Sequence, residues 1–245
     1  MNLVKHTELM NLREVEIGRI IRCLSDQTGG FEDPQLVLIG GYALRAFTTF
    51  SRYTRDCDFV LQRNGESWNL DRLQNLLSGL MCVDTCEKRE SYGFMRCVKE
   101  LSVGGAKISI DFMEGQVRGR SDEQVFFVSD EFLSKISKIE MAIAGEVFEV
   151  YVPDYTDYLL LKLMSARPSD VRDIATLVWK RGIPENLRIQ AKKMLAYPEV
   201  IDKNLPLIIS DVADKRFLDS WKGTFVTTEF TELIKENVIS ALKKL

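Results

Sequence analysis

The sequence predicts an α+β protein: an α/β part over residues 1–152, opened by an N-terminal helix, and a C-terminal helical domain over residues 153–245. Three observations carry that reading. Before Pro153, short β-branched and aromatic runs alternate with glycine and asparagine-glycine punctuation, as strands between turns do. After Pro153, apolar residues recur at helical spacing without alternation. No repeat, low-complexity tract or linker separates the parts, so they are expected to pack together, with a ligand cleft at their junction.

Taken in order, residues 7–26 place Leu9, Leu12, Ile17, Ile20, Ile21 and Leu24 near helical spacing, with Thr7 as a cap. A loop with Gly29, Gly30 and Pro34 follows. The run Gln35 to Ile39 is too brief for a helix and is stopped by Gly40 and Gly41, so it reads as a buried strand. Tyr42 to Phe50 reads as a short helix, Arg55 to Leu61 as a second strand closed by an Asn64-Gly65 turn, and Leu70 to Leu80 as a helix. Further strands are predicted at Phe94 to Leu101, Lys107 to Met113 and Val125 to Val128, and a hairpin joins Ile139 to Ile143 with Val147 to Val152 through Ala144-Gly145. Helices are predicted at Tyr155 to Ala166, Val171 to Lys180, Glu185 to Leu195 and Phe230 to Leu245.

Composition narrows the chemistry. With 45% hydrophobic and 28% charged residues, the 245-residue chain is too charged for a membrane protein and too apolar for a disordered one. No run approaches the about 20 apolar residues of a membrane helix, and the first residues form no secretory segment, so a cytoplasmic protein without membrane contact is expected. The five cysteines, Cys23, Cys57, Cys82, Cys86 and Cys97, are odd in number and form no CxxC pair, so all are expected as reduced thiols. A single histidine, His6, excludes a multi-histidine zinc site and a histidine triad. Chemistry must therefore rest on carboxylates, lysine, arginine, hydroxyls or cysteine. The net charge of −3 argues mildly against a protein that coats nucleic acid, while allowing a local basic groove.

Asp56 and Asp58 stand two apart on a predicted strand, so both carboxylates point to one face and can share a divalent cation. Asp111 lies inside the apolar run Lys107 to Met113, where an unpaired charge is costly. A metal shared with Asp56 and Asp58 would satisfy it, as would a salt bridge to Lys107 or Arg96. Gly40-Gly41 sits between a strand and a helix, where backbone amides can approach phosphate oxygens.

The ordered segment LIGGYALRAFTTFSRYTRDCDFVL resembles the DNA polymerase β-like nucleotidyltransferase superfamily, and within it the AbiEii-type toxin branch, with its Gly-Gly-x-Ala-Leu turn followed by Arg-x-Thr-x-Asp-x-Asp. The segment Tyr158 to Ile174 is similar to that branch's Leu-x-x-x-Lys-Leu-x-Ala-x-Arg-x-x-Asp-x-x-Asp pattern. The resemblance spans about Leu36 to Leu177 and implies a nucleotidyltransferase-fold mixed sheet with flanking helices, followed by the helical domain. It departs from the wider superfamily where Gly41-Tyr42 replaces Gly-Ser, which leaves phosphate contact to backbone amides.

By that resemblance, Asp56, Asp58 and Asp111 would bind two Mg²⁺ ions, Gly40 and Gly41 would cradle the triphosphate of an NTP, and Arg52 and Thr54 would shape the turn that presents the aspartates. Lys162, in an otherwise apolar helix, must aim its ammonium at a polar cleft or an acidic partner; the resemblance implies the triphosphate. Asp173 is expected to support Lys162 or the metal site, while Ser169, Asp170 and Asp173 also suit a helix N-terminus.

The implied reaction moves an NMP from an NTP to a hydroxyl of a macromolecule. The leading acceptor is RNA, such as a tRNA 3′ end, in a toxin-like role with a protein antitoxin as partner. A protein acceptor, a small molecule such as an aminoglycoside, and a non-catalytic nucleotide-binding descendant are the alternatives. For RNA, the candidate contacts are Arg118, Arg120, Lys180, Arg181, Lys192 and Lys193, with Trp179 and Tyr197 for stacking, although any one of these clusters taken singly reads first as ordinary solvated helix surface.

Overall fold

The structure, a computed structural model, describes residues 3–63, 69–102 and 105–245; the Asn64-Gly65 turn lies outside them. The chain divides into two compact units that do not follow a single cut. The first comprises Met1–Ala46, Tyr53–Val117 and Val128–Pro153; the second comprises Phe47–Arg52, Arg118–Phe127 and Asp154–Leu245. The sequence boundary near Pro153 is present, but two short upstream segments belong with the helices.

In the first unit, α1 (Leu3–Gln27) buries Ile17, Ile20, Ile21 and Leu24. It starts earlier than the spacing indicates, so Thr7 lies within it and does not cap it. Next come β1 (Val37–Ile39), wholly buried, a 3₁₀ turn at Tyr42–Ala46, β2 (Asp56–Leu61), α2 (Asn69–Gly79), β3 (Thr85–Arg89), β4 (Phe94–Glu100) and β5 (Lys107–Glu114). The short strands β6 (Gln116–Arg118) and β7 (Val125–Phe127), the latter in the second unit, precede α3 (Asp130–Leu133), β8 (Ser137–Ile143) and β9 (Glu146–Val152). One seven-stranded mixed sheet runs β3-β4-β5-β2-β1-β9-β8, with β2·β5 and β1·β9 parallel and the remaining pairs antiparallel. The sheet and its helices match the nucleotidyltransferase fold. Ala144 (φ 54°) and Gly145 (φ 81°) both take the positive φ that a two-residue primed hairpin turn requires between β8 and β9.

Three local expectations give way to tertiary context. The helix expected over Tyr42 to Phe50 stops at Ala46, because Phe47 and Phe50 leave to stack in the second unit. There the Phe47 ring lies 4.8 Å from Tyr158, and Phe50 lies 5.3 Å from Trp179. Strand β3 has no apolar face to announce it: its residues Thr-Cys-Glu-Lys-Arg occupy a sheet edge and pair with β4. That pairing sets Cys86 directly opposite Cys97, and the two form a disulfide. The expectation of five thiols is thus corrected to three: Cys23, Cys57 and Cys82. An odd count excludes only complete pairing, and the bond depends on a strand register that the sequence does not display.

The second unit holds α4 (Tyr155–Ser165), α5 (Pro168–Arg181), α6 (Leu187–Met194), α7 (Val200–Ala213), α8 (Phe217–Phe225) and α9 (Glu232–Leu242). Helices α7 and α8 lie outside the helices predicted from the sequence, and they contain Pro206 and Gly223, both costly inside a helix. Their packing is specific nonetheless. The Asn204 amide donates to the carbonyls of Leu163 (2.9 Å) and Met164 (2.7 Å) near the end of α4, and the fully buried Trp221 donates to Thr176 Oγ1 at 2.8 Å. Trp221 stacks on Phe230 at 4.7 Å and meets Phe50, Phe225 and Trp179 in one aromatic cluster. Among the described residues, no helix is long and apolar enough to cross a membrane.

Candidate active site

The acids gather by strand register. Parallel pairing of β2 with β5 sets Asp58 opposite Asp111 and Asp56 opposite Ser109, while antiparallel pairing of β4 with β5 sets Arg96 opposite Asp111. Partners in register share a face, so Arg96, Asp111 and Asp58 form one row at strand spacings of about 4.8 Å, with Asp56 in the next row. Ser109 donates its hydroxyl to Asp56 Oδ1 (3.0 Å), and Arg55 Nε lies 3.5 Å from the same oxygen. Thr54 accepts from the Asp56 amide (3.3 Å) and donates to the Asp56 carbonyl (3.2 Å), which fixes the entry into β2.

Asp111 answers how an acid survives in an apolar strand. Its side chain is 7% exposed and takes a two-pronged ion pair from Arg96: Nε to Oδ1 at 2.8 Å and Nη2 to Oδ2 at 2.5 Å. This is the salt-bridge partner the sequence allowed. Hydrogen bonding to Asp111 holds the Arg96 guanidinium above its ordinary value against the effect of burial, and the charges of Asp111, Asp56 and Asp58 add to it. One cation therefore stands in the field of all three carboxylates. Among the described residues, no three acidic, histidine or cysteine side chains are drawn together closely enough to hold a metal ion as they stand.

Gly40 abuts this row. Its φ of +69° suits glycine, and a Cβ built there would lie 1.9 Å from Asp58 Oδ2 and 2.8 Å from Asp58 Cγ. The missing side chain is what lets the backbone turn after β1 lie against the Asp58 carboxylate. Gly41 follows at the start of the 3₁₀ turn and is buried.

In the second unit, Lys162 is 3% exposed, and its ammonium donates to Asp170 (3.0 Å) and Asp173 (2.8 Å), both fully buried. Asp173 also takes a two-pronged pair from Arg52, at 2.8 and 2.9 Å, and Asp170 accepts from the amide (3.2 Å) and Nε (2.8 Å) of Arg167 at the start of α5. Burial alone would lower the Lys162 pKa, but Asp173, Tyr158 and Asp170 outweigh it and hold the ammonium above its ordinary value. Burial opposes ionisation of Asp170, yet Lys162 and Arg167 hold its carboxyl well below the usual range. Asp173 thus contacts Lys162, one of the two partners considered for it. Lys162 meets acidic partners, one of the two outcomes its apolar helix allows, and Arg52 anchors to a helix acid.

Two participants escaped the sequence. Ser109 stands two residues before Asp111, on the same strand face, and that spacing was the available signal. Arg167 is the arginine of the Lys162–Asp173 pattern, but its pairing with Asp170 depends on the turn between α4 and α5. Among the RNA candidates, Arg118, Arg120, Lys192, Lys193 and Tyr197 are exposed. Trp179 instead stacks within the aromatic cluster with Lys180 Nζ 3.6 Å above its ring, and Arg181 donates to the Phe47 carbonyl at 2.9 Å.

No curated protein matches the chain in sequence. Among solved structures, JHP933 from Helicobacter pylori aligns with 97% of this chain and 94% of its own at 14% identity and a TM-score of 0.49. A second H. pylori protein, described provisionally as a nucleotidyltransferase, aligns over 95% of each chain at 14% identity and a TM-score of 0.48. Neither likeness is close enough to bear on the site. Residues 18–181, which include every residue of both polar clusters, match one family model, and the chain accordingly belongs to the family described as nucleotidyltransferase of unknown function (DUF6036).

Proposed function

We propose that the protein transfers a nucleoside monophosphate from an NTP to a hydroxyl of RNA in a Mg²⁺-dependent reaction. The observation that carries this reading is the row of Asp58 and Asp111 in register, with Asp56 on the same face and the side-chain-free Gly40 against Asp58. Hard carboxylate oxygens on neighbouring strands suit Mg²⁺ by chemistry, and glycine at position 40 lets a backbone turn lie against one of them. Asp56 and Asp58 would hold the ions, and Asp111 would complete the set once Arg96, half exposed, turns away. Bound Mg²⁺ offsets charge on the triphosphate and activates the attacking hydroxyl.

This chain's own residues supply order. Strand register fixes the carboxylates before substrate arrives, Thr54 and Ser109 hold Asp56, and Arg96 neutralises Asp111 in the resting state. In the reaction, a bond forms between the acceptor oxygen and the α-phosphorus, the bond to pyrophosphate breaks, and the hydroxyl proton is released. The triphosphate's charge meets backbone amides at Gly40-Gly41, while Lys162 positions α4 and α5 through Asp170 and Asp173. The AbiEii-type assignment, with its toxin role and antitoxin partner, draws its support from the motifs at Gly40–Asp58 and Lys162–Asp173.

The test is transfer from each α-labelled NTP to total RNA and to total cell protein, with Mg²⁺, beside Asp56→Asn/Asp58→Asn. Label on RNA that disappears in the double variant is the expected result. Label on protein alone would replace the acceptor, and no label on either, from protein that binds NTP, would refute macromolecular transfer.

A further inference from the structure

A cleft of about 350 Å³ opens in the first unit on the acid face, and Arg13, Arg55, Arg96, Lys107, Asp56 and Ser109 line it. Four cations face one carboxylate, in a chain whose net charge is −3. Their pairing is uneven. Arg96 is bound to Asp111, Arg55 reaches Asp56 only at 3.5 Å, and Lys107 pairs with Glu100 where both are more than half exposed. Arg13, on α1, has no ion pair among the described residues: its Nη1 reaches only the Met10 sulfur, at 3.8 Å, and its Nε is buried with no hydrogen-bond partner. A buried guanidinium nitrogen left without an acceptor is costly, and an anion entering the cleft would satisfy it.

Position tells donor from acceptor. In the sheet order, β1 and its Gly40 turn flank β2 on one side, and β5 and β4, with the cleft, flank it on the other. In-line displacement requires the leaving pyrophosphate and the attacking hydroxyl to lie on opposite sides of the transferred phosphorus. If the triphosphate uses the Gly40 side, the cleft is left for the second substrate, and its charge selects an anion. We propose that this cleft is the acceptor subsite and that Arg13, Arg55, Arg96 and Lys107 bind phosphate groups of the acceptor, as in the backbone of a single-stranded nucleic acid. Cationic acceptors such as aminoglycosides are repelled by the same lining. The proposal rests on the transferase reading for the acceptor role, while the affinity for phosphate is independent of it.

The experiment measures binding of a fluorescent single-stranded RNA by anisotropy, in EDTA and without NTP, for the parent and for Arg13→Ala/Arg55→Ala/Lys107→Ala. A triple variant of surface arginines outside the cleft, Arg19→Ala/Arg22→Ala/Arg72→Ala, controls for lost charge, and thermal unfolding confirms that both variants fold. The cleft variant is expected to bind at least tenfold more weakly, with the salt slope reduced by about 2 for three lost contacts, while the control binds like the parent. Single-stranded DNA, free NTP and inorganic tripolyphosphate serve as competitors. RNA binding unchanged in the cleft variant overturns the proposal; so does displacement of RNA by tripolyphosphate at concentrations where NTP binding itself is lost in the cleft variant, which would assign the cleft to the donor. Cleft-dependent RNA binding without any label transfer would sustain the subsite and refute the transferase reading.

Discussion

Replacing Lys162 by methionine keeps most of the length of the side chain and removes the ammonium that holds α4 to α5. Asp170 would retain Arg167 and Asp173 would retain Arg52, but the space between the two buried carboxylates would lose its cation. Removing one partner from a buried ion pair costs about 3–5 kcal/mol, because the remaining charge stays desolvated. For a chain of this size, each kcal/mol moves Tm by about 2–4 °C, so the transition that reports the helical unit should fall by about 6–20 °C. The two remaining arginine pairs favour the lower half of that range. Differential scanning calorimetry, with tryptophan fluorescence to follow Trp179 and Trp221, measures the shift. Lys162→Met/Asp170→Asn should recover part of the loss, since it removes one of the stranded charges. If Lys162→Met unfolds within about 2 °C of the parent and instead raises KM for NTP, Lys162 contacts the triphosphate and the structural reasoning fails.

Other expectations follow from the same geometry. Gly40→Ala forces a side chain onto Asp58 Oδ2 at a positive φ, and should cost about 1–3 kcal/mol of stability in chemical denaturation together with most of the transfer activity; an active, equally stable variant would show that the turn is not held against Asp58. Arg96→Ala leaves Asp111 buried without its cation, so it should lower Tm in EDTA and regain it with millimolar Mg²⁺; a loss indifferent to Mg²⁺ would argue against Asp111 as a metal ligand. Under non-reducing denaturation, a thiol reagent should titrate three cysteines, rising to five after reduction; five at the outset would remove the Cys86–Cys97 bond. Because Asp170 is held below its unfolded pKa of about 3.9, the stability it contributes is complete above that pH and is lost as pH falls toward the folded value. Asp170→Asn should therefore flatten the acid limb of stability against pH while leaving its slope above pH 5 unchanged, and an unaltered acid limb would count against the pairing.

The sequence carried the parts of the site that have a period. Asp56 and Asp58 share a face because strand side chains alternate, and Gly40-Gly41 announces a turn that no other residue type makes as easily. What it could not carry was register. Whether Asp111 meets a metal, Lys107 or Arg96 depends on which residue of β4 lies across from it, and the same uncertainty hid the disulfide between Cys86 and Cys97. Lys162 shows the converse case. Its apolar helix correctly signalled a buried charge in need of a partner, but Asp170 and Asp173, only eight and eleven residues away, supply that partner from the next helix. Helices α7 and α8 were illegible because tertiary packing, through Asn204 and Trp221, outweighs the local cost of Pro206 and Gly223.

The segment Phe47–Arg52 has a practical consequence for anyone who wishes to work with part of the molecule. A fragment begun at residue 154 would contain all six C-terminal helices and still lack pieces of its own interior. Tyr158 would lose the Phe47 ring, Trp179 and Trp221 would lose Phe50, and Asp173 would lose the guanidinium of Arg52. Such a fragment would expose aromatic surface and a half-paired acid, and would be prone to self-association in proportion to its concentration. A rearranged chain that joins residues 47–52 and residues 118–127 to the helical segment by short linkers is the form in which that unit can be studied by itself.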